Sequence, residues 1–292
     1  MKTVLPAVLL TLAALTTTLA APSAQAGADG ASRIENVALG VIDLTPGDGS
    51  GPSYTLNYGD SRLLTYSNTL NNGGNYTQLS VYPAPFAAGQ AVLPASEGPG
   101  TAVAGTTGAV GNVAATAAAA MSLGVGNYVG AEGYQQVGLT LAPHTLLTVG
   151  GDLLTQARRT MEAGENYAVF SWASIDITDA EGTTSTTLNR ESALRWDDPY
   201  ATEAARQERF LLAFANPGDY ELFVTLSFLA YTDITVNPVD AGGGVAPVPE
   251  PETWATLLAG LLLTGSLARR HPLRGQCRHS DTASSLNSPA RV

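Results

Sequence analysis

Short segments in which polar and apolar residues alternate recur through most of this chain. Residues 53–58 (Ser-Tyr-Thr-Leu-Asn-Tyr) alternate strictly, and residues 137–141 repeat the pattern. A period of two places successive side chains on opposite faces of an extended strand. Further strands are predicted at residues 63–66, 76–82, 146–149, 167–177 and 183–188. Segments spaced about 8 to 15 residues apart in this way predict an all-β fold.

Turn-forming residues mark where these strands end. The sequence predicts turns at Gly59-Asp60, at residues 71–74 (Asn-Asn-Gly-Gly) and at residues 179–182 (Asp-Ala-Glu-Gly), the last of them closing a hairpin. Glycine and asparagine are favoured at such places because they tolerate the backbone angles that tight turns need. With little helical periodicity between these turns, the pattern favours an antiparallel, Greek-key-like β-sandwich over residues 27–240.

The clearest predicted strand, residues 220–231, follows Asn216-Pro217-Gly218-Asp219. This Pro-Gly-Asp-Tyr start is similar to a corner of immunoglobulin-like sandwiches, in which a tyrosine near the strand start ties the corner. The similarity implies that role for Tyr220. We expect the strand to be apolar on both faces over part of its length.

Two segments are ambiguous from the sequence. Residues 84–126 consist mainly of Ala, Gly, Thr, Val and Pro and predict a long loop, within which residues 114–121 could form a helix or a strand face of small side chains. Residues 201–215 have helical propensity. Phe210, Leu212 and Phe214 alternate, however, so we favour a strand there.

The composition of residues 27–248 limits the partners. This region has no lysine or cysteine, and its 8 arginines against 22 acidic residues leave a net charge of −14. An acidic surface argues against nucleic acid and anionic lipid, and it leaves calcium ions, cationic surfaces or plain solubility as interpretations. The single cysteine, Cys277, lies in the tail, so no disulfide stabilises this region.

Catalytic motifs are missing from the sequence. His144 is the one histidine of residues 27–248, so a two-histidine metal site is excluded there. Any Ser-His-Asp triad would need this residue. It follows Pro143 in a predicted turn, and we expect it at the surface. The chain has no Gly-x-Ser-x-Gly, phosphate-loop or His-Glu-x-x-His motif. We therefore expect a protein that is not an enzyme and carries no cofactor.

Two weak binding candidates remain. Asp176, Asp179 and Glu181 lie in one predicted hairpin and could offer oxygen atoms to calcium, although hairpin turns favour acidic residues in any case. Trp196 precedes Asp197 and Asp198, a combination that can bind a sugar by stacking and hydrogen bonding. The alternative is a core tryptophan beside a solvated loop.

The N-terminus has the features of a secretory signal peptide over residues 1–26. Lys2 supplies a positive start, residues 4–20 are apolar, and Ala24-Gln25-Ala26 is a small-x-small cleavage site. The alternative is a membrane anchor that is not removed.

The C-terminal region has three parts. A glycine-rich linker (residues 241–247) leads to Val248-Pro249-Glu250-Pro251, then to an uncharged apolar run at residues 253–268, then to Arg269-Arg270. As a helix, residues 253–268 would span roughly 24 Å, a short transmembrane segment whose arginines stay cytoplasmic. The alternative is a buried core helix.

These C-terminal residues resemble the sorting signal of the PEP-CTERM proteins of Gram-negative bacteria. The resemblance covers Val248-Pro249-Glu250-Pro251, the apolar centre and Arg269-Arg270. It implies export through the Sec machinery, recognition by an exosortase-like membrane enzyme, cleavage near the motif and an association with exopolysaccharide or biofilm matrix. Members usually end soon after the arginines, whereas here an unstructured tail is expected at residues 271–292.

The sequence thus leads to an exported cell-surface or matrix protein with a structural, adhesive or exopolysaccharide-associated role. A glycan- or calcium-binding β-sandwich module is the alternative. A hydrolase that works through carboxylates is the third hypothesis.

Overall fold

The computed structural model describes residues 26–49, 51–69, 75–96, 100–120, 125–160, 166–198 and 200–237, all within one compact unit, Met1–Gly244. These residues form strands and connecting turns, without a helix. The strands are β1 (Ala26–Asp43), β2 (Tyr54–Thr69), β3 (Asn75–Val81), β4 (Gly89–Leu93), β5 (Gly100–Thr106), β6 (Val113–Ala120), β7 (Tyr128–Leu141), β8 (Thr145–Arg159), β9 (Asn166–Asp179), β10 (Ser185–Leu194), β11 (Glu203–Asn216) and β12 (Leu222–Asn237).

The strands form two six-stranded antiparallel sheets. Sheet A has the order β11-β8-β1-β6-β5-β4, and sheet B has the order β10-β9-β12-β7-β2-β3. The all-β prediction is confirmed, with two antiparallel sheets consistent with a β-sandwich. The hairpin turn at residues 179–182 and the strand at residues 201–215 are also confirmed, the latter as β11.

One hydrophobic core joins the two sheets. Alternate residues of each strand point into it, among them Ile34 and Leu153 of sheet A and Leu139 and Phe228 of sheet B. The other residues of each strand point away from the core. Alternation in the sequence is therefore the direct cause of the layered architecture.

The predicted loop at residues 84–126 is wrong at the three segments where β4, β5 and β6 lie. Ala115, Ala117 and Ala119 of β6 are buried in the core. The sheets approach closely at this point: a Cβ atom added to Gly133 of β7 would lie 2.8 Å from the backbone oxygen of Ala114. Only small side chains fit on a strand where two sheets come this close. The low complexity of the β6 sequence therefore reflects close packing between the sheets and not a loop.

Hydroxyl groups link the sheets across part of the interior. Ser32 of sheet A donates to the Trp172 carbonyl of sheet B at 2.8 Å. Ser171 of sheet B donates to the Gln156 carbonyl of sheet A at 2.6 Å. Thr155 and Ser192 also bond between sheets, at 2.8 Å. These short side chains satisfy their polar atoms inside the core and fix how the sheets sit on each other.

The predicted turn at Gly59-Asp60 is wrong, because β2 runs without a break through both residues. A β-bulge between Leu56 and Tyr58 bends the strand just before them. A Cβ atom on Gly59 would lie 2.7 Å from the ring of Phe86, so the glycine is there to let that ring pack against the strand.

The expected role of Tyr220 is also wrong, since its side chain is 85% exposed. The corner before β12 is held instead by the buried side chain of Asn216. Its amide nitrogen donates to the carbonyls of Ala142 and Tyr220, both at 2.9 Å. A short amide can bond to neighbouring backbone and so closes this turn without a tyrosine.

The part of the chain that the structure describes includes no helix with the length and apolar character needed to cross a membrane. The predicted transmembrane helix at residues 253–268 lies outside the described residues, as does most of the predicted signal peptide.

Candidate functional site

Aromatic side chains are concentrated on the outer face of sheet B. Outward positions of its strands, which alternate with the buried ones, carry the aromatic residues Tyr58, Tyr66, Tyr76, Tyr128, Tyr134, Phe170, Trp172, Phe223 and Tyr231, and Tyr82 follows β3 on the same side. The whole chain has 3 Trp, 11 Tyr and 6 Phe. Half of these aromatic residues therefore lie on one surface, called here the aromatic face.

The register of the sheet brings these rings together from distant parts of the sequence. Tyr231 of β12 lies beside Trp172 of β9 and Glu132 of β7. Tyr134 of β7 lies beside Arg62 of β2. With strands about 4.8 Å apart, six strands make a surface about 24 Å wide. A surface of this size can contact several rings of an extended polymer at once.

Two glycines of β7 let tyrosine rings lie across the sheet. The ring of Tyr58 occupies the space that a Cβ atom on Gly138 would take, and the ring end of Tyr66 does the same at Gly130. A larger residue at either position would push the ring away from the strand. The glycines therefore shape the aromatic face by allowing aromatic packing directly on the backbone.

Contacts between neighbouring rings hold this surface in place. Tyr58 stacks on Phe223 with ring centroids 6.1 Å apart, and Tyr66 meets Tyr128 edge-on at 5.9 Å. The hydroxyl of Tyr66 donates to that of Tyr231 at 2.8 Å. Rings fixed by such contacts lose little further conformational freedom when a ligand binds, which favours recognition.

Polar groups lie among the rings. The guanidinium of Arg62 pairs with Glu132 and lies 5.7 Å from the ring centroid of Tyr134. Asp60, Arg62, Tyr134 and Tyr82 line a shallow groove of about 390 Å³, and Tyr82 is 67% exposed. The groove combines two phenol rings with two charged hydrogen-bonding groups.

Asp233 lies between Phe170 and Gly130 in the register of the aromatic face. Its Oδ1 atom is buried without a hydrogen-bond partner, and its Oδ2 atom accepts from Thr235 at 3.4 Å. Burial raises the pKa of this carboxyl group to about 6. Burial and the nearby Asp233 also raise the pKa of the Tyr66 and Tyr231 hydroxyls. The cluster is thus an acidic group set among phenol rings with one oxygen unsatisfied.

The outer face of sheet A is different in character. Among its described strand residues, no outward-facing side chain is aromatic. The exposed residues there include Ile42, Val92 and Leu211. The two sides of the same protein therefore present chemically distinct surfaces.

The acidic residues proposed for calcium do not assemble into a metal site. Both carboxylate oxygens of Asp179 accept hydrogen bonds from Thr183, and Oδ2 also accepts from the Thr184 amide. These bonds, that from the Thr183 hydroxyl first, lower the pKa of Asp179. Asp176 points to the outer face instead and accepts from Ser174. In the described ranges no three His, Cys, Asp or Glu residues, Glu181 included, are grouped to hold a metal ion. Asp179 serves to close the hairpin turn.

Trp196 is not a core residue, since its side chain is 58% exposed. It lies in the loop after β10 with Asp197 and Asp198, and its carbonyl accepts from Asn166 at 2.8 Å. This loop adjoins the aromatic face, because the guanidinium carbon of Arg195 lies 6.0 Å from the Phe170 ring centroid. The structure thus leaves the indole accessible beside the face.

Arg159 stabilises the loop that contains Trp196. It is 5% exposed, and its guanidinium donates to the carbonyls of Ala201, Tyr167, Arg195 and Asp198 and to the side chain of Asn166. Desolvation by burial lowers its pKa. A buried cation surrounded by carbonyl oxygens fixes the path of the loop.

His144 connects two turns. Its Nε2 atom lies 3.0 Å from an Asp219 carboxylate oxygen, its amide donates to Gly218, and its φ angle is 51°. Positive φ values are uncommon outside glycine and are characteristic of turns. The residue therefore joins the turn after β7 to the turn before β12.

The predicted sorting residues Val248, Pro249, Glu250, Pro251, Arg269 and Arg270 and the predicted cleavage residue Ala24 lie outside the described residues. Ala26, the other predicted cleavage residue, is the first residue of β1.

The aromatic face was not predicted from the sequence. No strand contributes more than two of its rings, and the register that joins them is not visible in the sequence. One signal was present: Phe170 and Trp172 stand in the same phase of the alternation as Ser174 and Asp176, so they belong to the solvent side.

The chain was also compared with protein-family models and with curated proteins, and no match was found in either comparison.

Proposed function

We propose that this chain is an exported, non-catalytic protein of the cell surface or extracellular matrix whose aromatic face binds polysaccharide. The observation that carries the proposal is the concentration of half of its aromatic residues on one side of sheet B. Tyr58, Tyr76, Tyr82 and Trp172 of this face are exposed, and exposed apolar patches mark interaction sites.

The chemistry of the face suits an extended glycan. The C–H faces of sugar rings pack on aromatic rings such as Trp172 and Tyr82, while the hydroxyl groups of the sugar bond to phenols, amides and carboxylates. Gln78 and Gln136 supply amides at outward positions between the rings. The surface is open along its length, which favours binding of a polymer over enclosure of a single bond for cleavage.

Binding is tested with the full-length chain against soluble polysaccharides by affinity electrophoresis and calorimetry. Trp172→Ala and Tyr134→Ala should each weaken binding at least about fivefold, because an aromatic anchor contributes over 1 kcal/mol. The matched control is Leu211→Ala, which removes a 74% exposed apolar side chain from sheet A. Equal losses in all three variants, or no binding by the parent chain, would overturn the proposal.

Export forms the second half of the proposal. We propose that residues 1–26 and 253–268 form the signal peptide and transmembrane helix flanking a Greek-key-like sandwich, and that an exosortase-like enzyme acts near Pro249-Glu250-Pro251. Intact mass after fractionation of the host should show an extracytoplasmic form that lacks both ends. A form that keeps Arg269 through Val292 in the inner membrane would show a permanent anchor instead.

A further inference from the structure

The aromatic face carries an excess of negative charge. Its carboxylates are Asp60, Glu132, Asp176, Glu191 and Asp233, and the two arginines on or beside it are Arg62 and Arg195. Arg62 pairs with Glu132, and Arg195 lies 3.8 Å from Glu191. The two cations are thus both engaged, and Asp60, Asp176 and Asp233 have no basic partner among the described residues.

Asp233 is the carboxylate whose surroundings are most specific. Phe170 lies beside it on β9, and the phenols of Tyr66 and Tyr231 meet close by at 2.8 Å from each other. Its unpartnered Oδ1 shows that the protein leaves part of its hydrogen-bonding capacity unused. A carboxylate bordered by aromatic rings is the combination that recognises an ammonium group, by charge and by cation–π attraction.

We propose that the polysaccharide bound by this face carries free amino groups, as a deacetylated hexosamine polymer does, and that one ammonium group binds at Asp233. The inference rests on the proposed function. It follows from charge complementarity: an anionic polymer would meet three unpaired carboxylates, whereas a polyamine chain would neutralise them.

The groups that face Asp233 fit this role. Tyr66 on β2, Tyr128 and Glu132 on β7, and Tyr231 on β12 are its titratable neighbours, and the Arg195 guanidinium lies over Phe170. Glu132 is already neutralised by Arg62. Asp233 is therefore the acidic group of the cluster that remains free to compensate a bound cation.

The test uses two polymers of matched length, a glucosamine oligosaccharide and its N-acetylated counterpart, with a uronic acid polymer as the anionic comparison. Calorimetry with the full-length chain should give at least about tenfold tighter binding of the glucosamine form, and Asp233→Asn should remove that preference. Asp152→Asn, on the outer face of sheet A, is the matched control for general charge and should keep the preference. Thermal unfolding of both variants checks that they remain folded.

The outcomes separate the two proposals. Equal affinity for both polymers, or equal effects of Asp233→Asn and Asp152→Asn, would overturn the amino-sugar inference while polysaccharide binding stands. Tighter binding of the uronic acid polymer would overturn it as well. Binding to none of the polymers would remove the proposed function and, with it, this inference.

Discussion

At the scale of single residues, Arg159 shows how one buried side chain can organise a loop. Five oxygen atoms surround its guanidinium, four of them backbone carbonyls from residues 167 and 195–201. Arg158, the next residue, points outward and forms an exposed pair with Glu203 at 2.9 Å. Adjacent arginines of one strand therefore have opposite roles, set by the alternation of its faces.

Replacing Arg159 by Leu should lower the free energy of unfolding by about 3 kcal/mol or more, because buried carbonyls lose their donor. Arg158→Leu should change it by less than about 1 kcal/mol, as expected for an exposed pair. Urea denaturation of both variants measures the difference. We also expect faster tryptic cleavage at Arg195 in Arg159→Leu, and equal stabilities of the two variants would contradict the role assigned here.

Asp233 should make stability depend on pH. Its pKa is about 6 in the folded protein against an ordinary value of 3.8, so the folded state holds the proton more tightly. The contribution of Asp233 to the free energy of unfolding is therefore largest below about pH 4. It decreases as the pH rises through 6, by on the order of 3 kcal/mol. Asp233→Asn removes this contribution.

The measurement is chemical denaturation of the parent chain and Asp233→Asn at pH 4, 5, 6 and 7. The variant should gain stability relative to the parent as the pH rises across this range, since it lacks the buried charge. A constant difference between the two proteins would show that Asp233 ionises as an exposed carboxyl group does.

At the scale of strands, the sequence predicted the elements that alternate locally or lie beside clear turns. β9, β10 and β12 were recognised with the help of turn residues next to them, residues 179–182 between β9 and β10 and residues 216–219 before β12. β6 was not, because alanine fills both of its faces and no periodicity remains to be read. The burial of its alternate alanines depends on how closely sheet B approaches, which is a property of the folded protein.

The candidate site was harder to predict than the strands. Trp196 was proposed for sugar binding because Asp197 and Asp198 follow it in the sequence. The aromatic face, in contrast, joins residues as far apart in sequence as Tyr66 and Tyr231. Local patterns tell which side of a strand a ring occupies, but the order of strands in the sheet decides which rings meet. That order follows from long-range pairing that no local signal encodes.

The close approach of β6 and β7 gives a matched pair of substitutions. Ala115→Leu adds volume where the sheets are tightly packed and should lower the free energy of unfolding by about 1–3 kcal/mol. Ala114→Leu, one residue earlier on the outward side, should have little effect. Thermal denaturation of both variants tests this, and a larger loss for Ala114→Leu would mean that the faces of β6 are reversed.

At the scale of the whole molecule, the two sheets share one core and several cross-sheet hydrogen bonds. They should therefore unfold together rather than in sequence. Tryptophan fluorescence and far-ultraviolet circular dichroism should give coincident urea transitions. Because residues 27–248 have no cysteine, a reductant should leave the midpoint unchanged. Separate transitions for the two probes would show that the sheets are independent.

The central position of β12 has a mechanical consequence. This strand, the last in the part of the chain that the structure describes, pairs with β7 from Leu222 to Thr235 and with β9 from Val224 to Asn237. A pull on Asn237 directed along the strand loads both hydrogen-bond ladders in shear, so their bonds resist together instead of opening one by one. The rings of Phe223 and Tyr231 stand on this same strand. A polymer held by sheet B and a tether at the chain's C-terminal side would thus be joined through the part of the sheet best arranged to carry tension.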